Sequence, residues 1–229
     1  MSAMHYSSSG VNKPIREIAY ETLKHAIITG EIPAGVRIVE TEYANKLHIS
    51  RTPLREALRK LERDGLVEYV IRRGVVVRAF TIEDVEEIYT IRNALEMITI
   101  PAIIKNATAE DIQSMRGKLK EMDHLIEENQ IEALSVLSRA FHDQLTAISG
   151  LKRILHVIQG QDEYVHRFSA LSIAKDKRRA DAHREHHRIV ELVEKRDLAG
   201  LEALIRKHIE SSKESCLSAL KGTDLQKRA

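Results

Sequence analysis

The stretch Ser50-Arg-Thr-Pro-Leu-Arg-Glu-Ala-Leu-Arg-Lys-Leu-Glu-Arg-Asp-Gly-Leu66 decides the fold of the first third of the chain. Wound at about 100° per residue, Leu54, Ala57, Leu58 and Leu61 fall in one arc, the core stripe of an amphipathic helix. Arg51, Arg55 and Arg59 recur at i, i+4 and i+8 on the adjacent face, with Thr52 beside them. Ser50 or Thr52 can cap the start. Pro53 is tolerated in a first turn, where its N–H would be unpaired, and Gly65 stops the helix as a C-cap glycine.

Upstream, Ile15, Ile18, Ala19, Leu23, Ala26 and Ile27 repeat at helical spacing until Gly30-Glu-Ile-Pro-Ala-Gly35 breaks the run. A short helix follows near Glu40 to Leu47, with a turn at His48-Ile49-Ser50. Downstream, Leu66 to Ile71 is rich in β-branched residues, and Arg72-Arg73-Gly74 separates it from Val75-Val76-Val77, the pattern of a β-hairpin. The order helix, helix, turn, helix, hairpin makes residues 13–79 a winged helix-turn-helix. This segment carries 13 Lys and Arg against 9 Asp and Glu, while residues 80–229 carry 23 against 25. The basic balance of the first third alone suits a polyanionic partner.

After Phe80 every segment reads as helix. Thr81-Ile-Glu-Asp84 is a capping pattern before a run to about Lys105. Further helices are expected near 108–129, 131–149, 151–168, 175–196 and 197–220, with Gly150, Gly160 and Gly200 as breakers and Pro101 as a candidate kink. The fold class is therefore mainly α: a winged helix-turn-helix followed by an all-α antiparallel bundle of six or so helices over residues 80–222. Residues 1–12 and 223–229 read as tails. The joint at Ala79-Phe80-Thr81 is too short to act as a free linker. No apolar run is long enough to span a bilayer, the Ser-rich start lacks the features of a secretion signal, and the single cysteine, Cys216, permits no intrachain disulfide. A cytoplasmic location fits all three.

The arginine-bearing helix has what a major-groove reader needs. Arg51 and Arg55 offer forks for guanine edges, Thr52 a hydroxyl for phosphate, and the first turn free N–H groups. Arg73 at the hairpin tip can reach the neighbouring backbone, with Gly74 permitting close approach. Gly30 to Gly35, Ser50 to Leu58, Leu61 to Leu66 and Arg73-Gly74, in this order and spacing, resemble the GntR family of winged-helix regulators. That resemblance implies base contacts by Arg51 and Arg55 and a wing tip at Gly74. Some family members carry an arginine where this chain has Thr41, which cannot make that contact.

Three of the eleven histidines lie on apolar helix faces. His186 shares a face with Ala182, Ile189, Val190 and Val193, and His208 one with Leu201, Leu204 and Ile205. A chain reversal near Asp197 places both eleven residues from the turn. His142 flanks the face of Leu134, Leu137, Phe141 and Leu145. Three imidazoles pointing into one bundle could hold a divalent metal with open positions, although a histidine on an apolar face is also commonly a hydrogen-bonded core residue. The remaining histidines, His183 and His187 among them, read as surface or packing residues.

The helical half is similar to the FadR-type C-terminal (FCD) domain. That similarity implies an Asp-x-x-x-His plus two further histidines as metal ligands, matched here by His142, His186 and His208, with Ser138 in place of the aspartate. It also implies a small carboxylate effector, for which Arg92 is the first candidate receptor and Arg139 the second, with a water or the effector at Ser138. Arg92 also stands one turn before Glu96, with which it can simply pair. Zinc or nickel suits imidazole ligands. The whole reads as a homodimeric transcription regulator, a repressor of a palindromic operator, rather than an enzyme. The rival is a metal-dependent hydrolase, against which no acidic residue forms a base motif with these histidines and Glu185 is expected to point off their shared face.

Overall fold

A computed structural model describes residues 13–173 and 176–227. The expected N-terminal tail lies outside the described residues. The chain divides into two compact units, with the boundary between Phe80 and Thr81.

The first unit comprises α1 (Ile15–Thr29), β1 (Arg37–Ile38), α2 (Glu40–Lys46), α3 (Arg51–Arg63), β2 (Val67–Val70) and β3 (Gly74–Val77). Leu54, Ala57, Leu58 and Leu61 of α3 are buried and pack with Leu23, Ala26 and Ile27 of α1, as the helical spacing predicts. Helix α3 closes in a Schellman motif: Leu66 N–H donates to the Leu61 carbonyl at 2.9 Å and Gly65 N–H to Glu62 at 3.0 Å, with Gly65 at φ 71°. Leu61 and Leu66, both buried, make the apolar contact that accompanies this motif. At the other end Ser50 occupies the N-cap position, but neither it nor Thr52 supplies the expected side-chain cap. That end is exposed, so water can satisfy its free N–H groups.

The hairpin is part of a three-stranded antiparallel sheet in the order β1-β3-β2. Val67 pairs with Val77 and Val70 with Gly74, while Arg37 of β1 pairs with Val76. Strand β1 has two residues, too few to show a period of two, and was not legible in the sequence pattern.

The second unit contains α4 (Ile82–Asn106), α5 (Ala109–Glu127), α6 (Ile131–Ala147), α7 (Lys152–Ile173), α8 (Asp176–Glu194) and α9 (Leu198–Lys227). The Thr81–Asp84 capping box forms, and Thr108–Asp111 makes a second one. Helix α9 packs against α4, α7 and α8, while α5 packs against α6 and α8. Three expectations change. Gly160 lies inside α7 and Gly200 in the first turn of α9, so of the three expected breakers only Gly150, at φ 69°, separates helices. Helix α9 continues to Lys227, past the expected end at Leu220 and into the expected tail at 223–229, while Pro101 lies inside α4. A glycine costs a helix only about 1 kcal/mol, which tertiary packing overrides.

Leu61 is fully buried on the inner face of α3. Leu61→Ala should cost about 2–5 kcal/mol, read as a lower urea midpoint for the unit that contains it. A loss below 1 kcal/mol would mean that α3 is not held by this face.

Candidate functional site

Helix α3 presents Arg51, Thr52, Arg55 and Arg59 on its exposed side. Arg51 and Arg55 converge on one carboxylate: Arg51 Nη2 donates to Glu40 Oε2 at 3.0 Å and Arg55 Nε to the same oxygen at 2.8 Å. Both arginines remain more than half exposed. Burial acts to raise the Glu40 carboxyl, but the two guanidinium hydrogen bonds outweigh it and hold the group below its usual range. Glu40 was missed in the sequence because it belongs to another helix, eleven residues before Arg51. Arg59 lies further along, beside Arg16 and Glu56, at a surface hollow between α3 and α1. Arg73 is exposed at the wing tip, and the turn takes Arg72 at φ 68° and Gly74 at φ 80°. Gly74 is required here for its left-handed backbone.

In the second unit α6, α8 and α9 bring His142, His186 and His208 together. Their ring centroids form a near-equilateral triangle with sides of 5.0, 5.1 and 5.1 Å. One ring nitrogen from each lies within 4.8 Å of the others. His142 Nε2 and His186 Nε2 stand 3.1 Å apart, and the Nδ1 atoms of both are buried without a hydrogen-bond partner. The Phe141 ring packs on His186 at 4.8 Å.

His208 has a different environment. Its Nδ1 stands 2.7 Å from Glu185 Oε2 and 3.3 Å from Arg178 Nη2. The shorter contact, to a carboxylate, assigns the proton: Nδ1–H donates to Glu185, which leaves the Nε2 lone pair free. Arg178 instead donates to the His208 carbonyl at 3.2 Å, to Ser212 Oγ at 3.1 Å and to Glu185 at 2.8 Å. Glu185 therefore turns toward the histidines, contrary to the sequence reading. It reaches the ring on α9 by turning along α8, which the angular position of its Cα does not reveal. Arg178 was not singled out in the sequence at all, being one basic residue in a polar run.

Burial holds His142 and His186 well below the ordinary imidazole value, with neighbouring rings and Arg92 and Arg178 adding to the effect. His208 is also lowered, by burial first, against the opposing pull of Glu185. Three neutral imidazoles with converging nitrogens, one of them buttressed by a carboxylate, are a donor set that fits a borderline divalent ion. Ser138, one turn before His142, is buried and borders a hollow of about 20 Å³ shared with His183 and His186.

Arg92 is buried and donates to Glu96 at 2.6 Å, the pairing its spacing allows. Its charge is felt at all three rings. Arg139 is 41% exposed and faces Asp143 at 3.9 Å, an ion pair at the surface. His183 and His187 are not isolated surface residues: both approach Asp123 on α5.

Residues 15–77 match the family model of bacterial regulatory proteins of the gntR family, and residues 87–211 match the FCD domain. The chain belongs to the GntR family of transcriptional regulators. Among its relatives this GntR regulator is 32% identical to the HTH-type transcriptional regulator YdhC of Bacillus subtilis over 78% of this chain and 80% of that protein. It is 25% identical to the HTH-type transcriptional repressor RspR of Escherichia coli over 89% of each. The solved structure of E. coli McbR/YncC superposes with a TM-score of 0.69 at 17% identity, covering 90% of this chain and 98% of that one. The GntR and FCD domains make this protein a DNA-binding transcriptional regulator and not an enzyme, which sets the hydrolase reading aside. Among the described residues no helix is long and apolar enough to cross a membrane.

Because the three rings are held neutral in the fold, the metal-free unfolded chain binds more protons than the folded one below the ordinary imidazole value of 6.5. Stability should be full above about pH 6.5 and decline as the pH falls, by up to about 1.4 kcal/mol per pH unit for each ring that stays neutral. Melting curves of chelator-treated protein from pH 8 to 5 test this. His186→Asn should flatten the decline, and an unchanged slope would show that the ring is protonated where it lies.

Proposed function

We propose that this regulator is a homodimeric repressor of a palindromic operator, released by a small organic acid bound beside a divalent metal, zinc or nickel, in the FCD domain. The observation that carries the reading is the triangle of neutral imidazoles with Glu185 fixing the His208 tautomer. When bound, the ion supplies a positive charge and open coordination positions for a carboxylate. His142, His186 and His208 would hold it. Ser138 cannot replace a carboxylate ligand, but the hollow beside it has room for one water molecule. Arg92 is the first receptor for the acid, Arg178 is a second that must release Glu185 to serve, and Arg139 lies at the rim. That RspR is named a repressor favours repression here.

At the operator, Arg51 and Arg55 read bases while Thr52, Arg59 and Arg73 hold phosphate, with Gly74 letting the wing tip approach. A single reading helix covers only a few base pairs, so discrimination calls for two half-sites in inverted orientation. The exposed stripe Ile91, Ala94 and Ile98 along α4 is an apolar face that suits a second copy.

Arg51→Ala and Arg55→Ala should each weaken specific binding by about 1–3 kcal/mol, whereas Arg73→Ala should weaken it evenly across sequences and flatten the salt dependence. Footprinting and salt titrations distinguish the two patterns. Unchanged site preference in both of the first variants would remove them as base readers.

His142→Ala should lose the tightly held ion and the response to an acid, while operator binding without the acid stays intact. Ser138→Asp should tighten the ion, because it restores a carboxylate one turn before His142. A panel of organic acids, scored by thermal shift and operator release, identifies the effector. Metal content in His142→Ala equal to that of the wild type would refute the centre.

A further inference from the structure

Helix α8 carries a second set of donors on a face that adjoins the buried triangle. His183 and His187 stand one turn apart, the spacing that lets two imidazoles on one helix share an ion. Across from them α5 supplies Asp123. His183 Nε2 lies 2.6 Å from Asp123 Oδ1 and 3.2 Å from His187 Nε2, and His187 Nε2 lies 3.7 Å from the same carboxylate oxygen. The two rings meet edge to face at a centroid distance of 4.7 Å.

Direct two-centre hydrogen bonds among these side chains leave one ring nitrogen over. A single ring nitrogen is either an N–H or a lone pair. His183 Nε2 needs its proton to donate to Asp123, and it then has nothing with which to accept from His187. Water on the half-exposed His187 ring can satisfy that nitrogen, whereas a cation among the three atoms satisfies all of them directly. Around a tetrahedral ion with bonds near 2.1 Å, neighbouring donors stand about 3.4 Å apart, so two of the three separations lie close to that value and the Asp123–His183 pair must open by about 0.8 Å.

We infer that Asp123, His183 and His187 form a second divalent-cation site, between α5 and α8, distinct from the buried histidine centre and independent of whether that centre holds an ion. Two imidazoles and one carboxylate select zinc, nickel or copper over magnesium or calcium. Asp123 and His187 are about half exposed, which leaves the remaining positions to water and the site open to exchange. His183 Nδ1 is buried without an acceptor, so the outer support of a tight structural centre is lacking and the ion is held reversibly. Its ligands come from two helices, so binding ties α5 to α8 and stabilises the unit by mass action.

The test is zinc and nickel titration of the chelator-treated full chain by calorimetry, with the melting temperature followed in parallel. The wild type should take up a weaker equivalent that His187→Gln and Asp123→Asn each weaken at least about tenfold, the loss already typical of an outer-shell partner. His142→Ala should keep this equivalent and still gain melting temperature with zinc. His187→Gln replaces a half-exposed ring, and its metal-free melting curve should match the wild type, which separates lost binding from lost folding. An equivalent that survives in the Asp123→Asn/His187→Gln double variant overturns the site. If the single ion taken up vanishes in His142→Ala and persists in His187→Gln, this inference fails and the proposed buried centre stands. The opposite pattern does the reverse.

Discussion

Three imidazoles brought together inside one helical bundle form the constraint around which the second unit is organised. Burial keeps the rings neutral, and a neutral ring must choose a tautomer. At His208 the choice is made by Glu185, 2.7 Å from Nδ1. That carboxylate is itself largely buried and is held charged by the ring and by Arg178, against the opposing cost of burial. Arg178 in turn spreads its donors over Glu185, the His208 carbonyl and Ser212. Removing one member of such a chain leaves an uncompensated buried charge, which costs more than the intact network contributes. The network thus fixes the distance between α8 and α9 at the level of the rings.

The first unit shows the same logic at its surface. Two guanidiniums on one helix face would repel each other and sample many rotamers if left alone. Glu40 accepts from both, which gathers them on one side of α3 before any partner arrives. The benefit is preorganisation, since less side-chain entropy remains to be lost on binding. In the proposed DNA contact Glu40 would bring negative charge close to a polyanion, and its pairs would be shared or broken as guanine edges took their place. A carboxylate at this position would then filter partners, because only a site that supplies bidentate acceptors to both arginines compensates for the lost pairs.

The parts of the fold set by local rules were legible. The stripe of Leu54, Ala57, Leu58 and Leu61, the glycine stop at Gly65 and the Thr81–Asp84 box each depend on residues within one turn or two. The convergence of His142, His186 and His208 was legible too, because helical spacing and an equal distance from the α8–α9 turn constrain it. What escaped depends on contacts distant in sequence or on side-chain direction. Strand β1 exists only because β3 gives it a partner. Glu40 matters only once α2 lies across the start of α3. Within His183-Arg-Glu-His-His187 the angular positions separate His186 from the other two rings, yet only Asp123, 60 residues away from His183, turns His183 and His187 into a group. Glu185 was misjudged because a long flexible side chain can reach around the helix from a Cα that faces elsewhere.

An acid that entered the buried centre, as proposed, would meet two guanidiniums that already have partners. Arg92 is paired with Glu96 at 2.6 Å and Arg178 with Glu185 at 2.8 Å, so neither charge is in surplus. Binding a further carboxylate without an added cation would leave excess negative charge in a buried space, a costly arrangement. Two routes restore balance. In one, a divalent ion on the three rings supplies the missing positive charge and the internal pairs persist. In the other, an arginine exchanges its internal partner for the effector, and the released glutamate must find water or a new donor. Only the second moves a side chain that ties one helix to another, because Arg178 and Glu185 together grip His208 of α9, whereas Arg92 and Glu96 both lie on α4. A signal that reaches beyond the pocket needs differential affinity for two arrangements of the protein. The Arg178–Glu185–His208 link is the contact whose exchange would create two such arrangements, while the Arg92–Glu96 pair can change partners within a single helix.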